Sequence, residues 1–300
     1  MLADVYFILG NCCFELEQYE NAVVYYRTAL GRNDRNPDYY RDYVISLARQ
    51  QKIEEARAAL AEAENGGVSS VELCLMRGEL EKAQKDYAGA QQDLLQCIAE
   101  TDDDYLRMRA YVICDMVYRE QEAELGEEAT DEQRIEYLSK SRNLLEEART
   151  RVGLENQLLI FERLAQTYID LQDRTGDASY GEKAVSILQD IVAHGWGTYV
   201  TYNNISILYQ KMGRLDEAGD MLQQMLELNP ESYNTYKRLA FLEVDRQNRK
   251  ENADREYTEF VAYYEKAKEY YAEAGVAGGD TEMQLLDNLY QQLVEGGWLK

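Results

Sequence analysis

The sequence predicts an all-α fold: a solenoid of about seven stacked helical hairpins, closed by one capping helix at the C-terminal end. Three observations carry this expectation. Only two prolines interrupt the 300 residues, and apolar residues are spread evenly instead of alternating, so long stretches can run as helix. The chain repeats on itself, with Ala22, Ala56 and Ala90 standing 34 residues apart. Helix-start signals recur where such hairpins would begin.

Taken in order, the first hairpin spans about 3–33. In its second helix Ala22, Tyr26, Ala29 and Leu30 fall at three- and four-residue steps, on one face. Gly10 and Gly78 each stand twelve residues before a repeat alanine, where a small residue lets two helices approach closely. The second hairpin, 37–65, opens with a cap, a proline and an acid in Asn36-Pro37-Asp38. Ser69 with Glu72 has capping-box spacing and opens the third, 69–100. The fourth, 103–151, has an acidic connection around QEAELGEEATD and longer helices, the second started by Thr130 with Gln133. The fifth, 155–194, is read from Phe161, Leu164, Ala165 and Tyr168, then from Ala184, Leu188 and Ile191. LQDRTGDAS is its expected loop, and Ser179 with Glu182 the next helix start. The sixth runs over 199–228 and the seventh over 231–273, opened by Asn229-Pro230-Glu231. GVAGGD then breaks the helix, and 281–294 places Met283, Leu286, Tyr290, Leu293 and Val294 at helical spacing as an amphipathic cap. No comparable cap precedes the first hairpin, where apolar Val5, Phe7, Ile8 and Leu9 begin within a few residues of Met1. Two expectations follow: a chain cut from a longer protein, or a first helix that frays or pairs with another copy.

The segments YFILGNCCFELEQYENAVVYYRTAL and VTYNNISILYQKMGRLDEAGDMLQQMLELNP resemble the tetratricopeptide repeat family. In the second, Tyr202, Ile205, Tyr209, Gly213, Ala218, Leu222 and Pro230 match the family's aromatic, Leu, Tyr, turn glycine, Ala, large apolar and Pro. Ser206 and Met225 depart from it, standing where Gly and Ala are commonest. The resemblance implies one right-handed superhelical α-solenoid over residues 1–300, whose first (A) helices line a concave groove that receives a protein or peptide. Neighbouring hairpins must stack, because one alone cannot bury its apolar face.

Composition narrows the function. Asp plus Glu is 56 against 32 for Lys plus Arg, a net charge of −24, which repels nucleic acid and anionic membranes. The five cysteines (Cys12, Cys13, Cys74, Cys97, Cys114) lack metal-ligand spacing, and a reducing, cytoplasmic setting is expected. The start of the chain does not read as a secretion signal, and no apolar run is long enough to span a bilayer. With one histidine, His194, no site needing two imidazoles can be built, and no phosphate-cradling glycine loop or calcium loop is found. The expectation is a non-enzyme with no cofactor and no metal. Most of the 25 tyrosines are read as packing residues, with part of the group Tyr257, Tyr263, Tyr264, Tyr270 and Tyr271 exposed.

Applied to this chain, the family's groove rule selects Asn203, Asn204, Ile207 and Lys211 in the sixth repeat and Asn234, Lys237, Arg238 and Phe241 in the seventh. In the fifth it selects Glu162, Arg163 and Gln166. Asn204 and Arg238 match two positions of the family's carboxylate clamp; Glu162, Gln166 and Asn234 replace its Lys, Asn and Lys, so the complete clamp is not expected. In the first three repeats the rule selects a more apolar and acidic set, Asp4, Phe7, Asn11, Asp38, Arg41, Asp42, Ile45, Leu75, Met76 and Glu79. The function read from the sequence is an interaction scaffold, monomeric or dimeric through the first hairpin. The alternatives are a regulatory or sensor segment of a larger signalling enzyme and a self-assembling array.

Overall fold

The computed structural model describes residues 2–33, 36–276 and 279–299, and among them all regular structure is helical. The chain divides into two compact units, Met1–Gly176 and Asp177–Lys300. The first unit holds α1 (Leu2–Glu15) with α2 (Tyr19–Leu30), α3 (Pro37–Arg49) with α4 (Ile53–Asn65), and α5 (Ser70–Ala83) with α6 (Tyr87–Glu100). It continues with α7 (Asp104–Ala123), α8 (Asp131–Arg151) and α9 (Leu158–Thr175). The second holds α10 (Ala178–Ala193), α11 (Tyr199–Lys211) with α12 (Leu215–Leu228), α13 (Tyr233–Asn248) with α14 (Thr258–Ala274), and α15 (Thr281–Glu295). The helices of the expected fifth hairpin thus fall in different units.

Each hairpin closes around the repeat's small residues. Ala22, Ala56 and Ala90 are completely buried, as are Ala184 and Ala218 in the second unit, again 34 residues apart. A Cβ at Gly10 would lie 2.5 Å from the Tyr26 ring, and one at Gly78 would lie 2.6 Å from Leu94, so these helices touch backbone to side chain. Ser206 holds the equivalent position in the second unit. Its buried hydroxyl donates to the Ala218 carbonyl at 3.1 Å, which is how a polar residue fits where glycine is commonest. In the first unit the A helices meet in succession (α1 with α3, α3 with α5, α5 with α7, α7 with α9) and form a continuous wall.

The turns carry the same period. Glu17, Gln51 and Lys85 have φ of 57°, 59° and 62°, and each stands five residues before a repeat alanine. Gly213 fills the corresponding position before Ala218 at φ 76°. A left-handed conformation costs a side-chain-bearing residue about 1–2 kcal/mol, against which glycine's extra unfolded-state entropy of about 0.5–1 kcal/mol must be set. Gln51→Gly is therefore expected to stabilise by about 0.5–1 kcal/mol and the triple Gly variant by more, read as a rise in thermal midpoint.

Several local expectations change on inspection. LQDRTGDAS is no extended loop: α9 continues to Thr175 and ends on left-handed Gly176 (φ 70°), while Asp177 caps α10 by accepting from the Ser179 N–H. Ser179 is therefore not the cap. Asn229 accepts from the Glu231 N–H in a turn, and the cap of α13 is Ser232, which accepts from Thr235. Asn36, Ser69 and Thr130 cap their helices as the spacing predicts, Thr130 with Gln133 in a complete capping box. α7 and α8 are long, 20 and 21 residues. Within α15, Met283, Leu286 and Leu293 are buried against α13 and α14, whereas Val294 is exposed. Of the late tyrosines, Tyr257 is buried and the others are half-buried, Tyr264 stacked on Tyr290 at 4.3 Å.

Candidate functional site

In the second unit α11 and α13 lie side by side, joined where the Tyr199 hydroxyl meets the hydroxyls of Ser232 (3.1 Å) and Thr235 (2.8 Å). Arg238, one helical turn beyond Thr235, turns its guanidinium towards α11. It donates to Asn203 Oδ1, to Ser206 Oγ and Gln210 Oε1 at 3.4 Å each, all of them neutral acceptors. Among the described residues it forms no ion pair, and burial pushes its pKa down. A half-buried arginine without a carboxylate retains donors and charge for an anion.

The other selected residues separate into distinct roles. Asn204 is half-buried beside Asn203; Ile207, Lys211 and Asn234 are exposed. Phe241 is half-buried and packs into the core beneath α14 and α15. Lys237 is 3 % exposed, and its ammonium pairs with Asp280 at 2.7 Å and Glu282 at 2.8 Å, both on the segment that begins α15. Its charge is neutralised inside the unit. Arg163 and Gln166 belong to the first unit, so the ten residues do not form one patch within either body. There Arg163 pairs with buried Asp115 at 2.5 Å, while exposed Gln166 donates to Asp170 at 2.8 Å. Glu162 is exposed. Ser206 and Gln210, which complete the surroundings of Arg238, were not selected from sequence. Ser206 registered only as a departure from a glycine position, and no motif marks Gln210.

The first unit has a second candidate, a cleft of about 320 Å³ along the A-helix wall. Phe7 and Asn11 come from α1, Asp38, Arg41 and Asp42 from α3, Glu72 from α5, and Asp103, Tyr105 and Leu106 from the start of α7. Burial disfavours charge on Arg41, but Asp42 at 3.1 Å and Asp38 at 2.5 Å outweigh it and raise its pKa. Four carboxylates against one internally paired arginine leave an acidic cleft that also carries the rings of Phe7 and Tyr105. A larger cleft, about 800 Å³, lies in the second unit between the α11–α12 turn and the start of α14. Its walls mix charges, with Arg246, Arg249 and Lys250 among Asp216, Glu217, Glu243 and Glu259, and no sequence signal marked it.

Among the described residues no group of three or more His, Cys, Asp or Glu side chains is placed to hold a metal ion, and no helix is long and apolar enough to cross a membrane. The five cysteines are unpaired, Cys74, Cys97 and Cys114 buried and Cys12 exposed.

Comparison with known proteins agrees with this architecture. Family models described as tetratricopeptide repeat match residues 3–36 and 199–232. No curated protein sequence matches the chain. Among solved structures, the C-terminal part of a TPR repeat-containing protein from Cytophaga hutchinsonii is similar at TM-score 0.55 and 14% identity, covering 78% of this chain and 80% of that one. The apo form of RapI is similar at TM-score 0.50 and 18% identity, covering 98% and 87%. A thermophilic TPR protein of Thermus thermophilus is 17% identical over 81% and 99%, with a TM-score of 0.47.

Proposed function

Since this chain belongs to the tetratricopeptide repeat family, we propose that it is a non-enzymatic scaffold for a protein or peptide, and that its α11–α13 wall anchors an acidic group of that partner on Arg238. The observation that carries this reading is the guanidinium itself, held among Asn203, Ser206 and Gln210 with no carboxylate partner among the described residues. An incoming carboxylate replaces two long hydrogen bonds to neutral acceptors with short ones to an anion, on the order of 1.5–3 kcal/mol. Asn204 on the same wall supplies an amide that can pair with an extended peptide backbone.

The net charge of −24 opposes an acidic partner at long range. At physiological ionic strength that field decays over about 8 Å, so a contact at hydrogen-bond distance outweighs it. The proposed setting is the cytoplasm, in keeping with five unpaired cysteines. Selection from a random peptide library with free C termini, repeated with the same library amidated, tests the chemistry. Enrichment of Asp, Glu or the terminal carboxylate supports the reading; recovery of neutral or basic peptides alone overturns it.

A further inference from the structure

The repeat is interrupted between α13 and α14, and a cleft stands at the interruption. The helices of the first three hairpins and of α11–α12 are joined by residues 16–18, 50–52, 84–86 and 212–214, three each, whereas 249–257 join α13 to α14. Thirty-four residues beyond the turn glycine Gly213 stands Gln247, still inside α13 and 3 % exposed. Its side chain donates to buried Glu243 and accepts from the Glu256 N–H at 2.9 Å, so the long connection is fastened to the helix it leaves. Insertions in repeat proteins fall in loops on one face, and that face is often where ligands bind.

The cleft, about 800 Å³, has the size of a small-ligand pocket. Two of its bases are already engaged. Arg214 pairs with Glu217 at 2.8 Å. Arg246 lies against Gly219, where a Cβ would stand 2.5 Å from its guanidinium, and pairs with Asp216 at 3.2 Å and Glu243 at 3.4 Å. The two bases at the end of α13 are not. Arg249 donates to the Gly213 carbonyl at 2.7 Å and to no carboxylate among the described residues, where the Lys250 ammonium has no acceptor at all. At the start of α14, the Glu256 carboxylate accepts from the Thr258 hydroxyl at 3.2 Å, and that of Glu259 has no donor among the described residues. These four charges line one cleft, yet neither base forms an ion pair with either acid.

We propose that this cleft binds a small zwitterion whose ammonium and carboxylate lie apart, as at the two ends of a short peptide, the carboxylate on Arg249 and Lys250 and the ammonium on Glu256 and Glu259. The unpaired charges select this class. A ligand that is only an anion is repelled by the two glutamates, and one that is only a cation by the two bases, whereas a ligand carrying both charges satisfies all four. Having no net charge, it is also indifferent to the long-range field of a chain carrying −24. The site is separate from the α11–α13 wall, because Arg249 stands at the end of α13, roughly 16 Å along the helix from Arg238.

The test titrates the isotope-labelled full chain with trialanine, N-acetyl-trialanine, trialanine amide and alanine, followed by amide chemical shifts. The expected result is saturable one-to-one binding of trialanine, about tenfold tighter or more than any of the other three, with shifts centred on Gly213 and on 256–259. Arg249→Gln and Glu259→Gln, both at exposed positions, keep the wild-type thermal midpoint and each weaken binding about tenfold or more. N-acetyl-trialanine still offers a carboxylate to Arg238 but carries no ammonium. If it binds as tightly as trialanine, with shifts on α11, the peptide sits on that wall and the proposal is overturned. Equal binding of alanine, whose charges are adjacent, unchanged affinity in either variant, or no saturable binding of trialanine overturns it as well.

Discussion

Asp115→Ala is expected to destabilise the first unit by about 3–5 kcal/mol, the range for removing one partner of a buried ion pair. Asp115 on α7 is 1 % exposed. One carboxylate oxygen accepts from Ser141 on α8, itself fully buried, and the other accepts from Arg163 on α9 at 2.5 Å. Arg119 stands 4.0 Å away and bridges to Asp170 and to buried Thr167. Loss of the carboxylate leaves the Arg163 guanidinium without its acid and Ser141 with only the Thr167 hydroxyl at 3.3 Å, and Arg163 Nε already lies buried without an acceptor. A urea titration should show a lower midpoint with an unchanged slope. Asp115→Leu/Arg163→Met, which removes both charges, should recover most of the loss; if it is no more stable than Asp115→Ala, the pair is not what fixes the site.

Lys237→Ala should release α15 from α13. The 3 %-exposed ammonium holds Asp280, whose other oxygen caps α15 by accepting from the N–H groups of Glu282 and Met283. Removing it is expected to cost about 2–3 kcal/mol, concentrated in that helix, so its amides should exchange roughly 30- to 150-fold faster while those of α11 and α12 change little. The hydrogen bond from Lys237 holds the Asp280 carboxyl below the usual carboxylate range. A depressed carboxyl adds stability that is complete above its unfolded value of about 3.9 and is lost as pH falls through the folded value. The difference between wild type and variant should therefore be full at pH 7 and shrink below about pH 4. A difference independent of pH would mean that Asp280 is not the partner that matters.

These two side chains also show where sequence reading stops. The hairpins were legible because close helix approach demands small residues at fixed intervals, so Ala22, Ala56, Ala90 and the glycines at 10 and 78 disclose the period directly. Caps were legible where the acceptor stands immediately before the helix, as at Asn36, Ser69 and Thr130. They misled where two candidates compete within a few residues, Asn229 against Ser232 and Ser179 against Asp177. The groove rule fixes which face of an A helix a residue occupies but says nothing about what arrives from elsewhere in the chain. Lys237 and Arg238 are neighbours on α13, yet α15 neutralises the first with two carboxylates 43 and 45 residues away, while only neutral groups of α11 reach the second. Arg163 meets its acid 48 residues upstream on α7. No local spacing encodes such partners.

Arg238 is the residue on which the account turns. The most direct measurement is the affinity of a selected acidic peptide for the wild-type chain, Arg238→Lys and Arg238→Gln, each first shown to melt as the wild type does. The account predicts at least a tenfold loss in Arg238→Gln, about 1.4 kcal/mol or more, and partial retention in Arg238→Lys, which keeps the charge but not the planar fork. Equal affinity for all three proteins would contradict it and move the binding surface away from the α11–α13 wall.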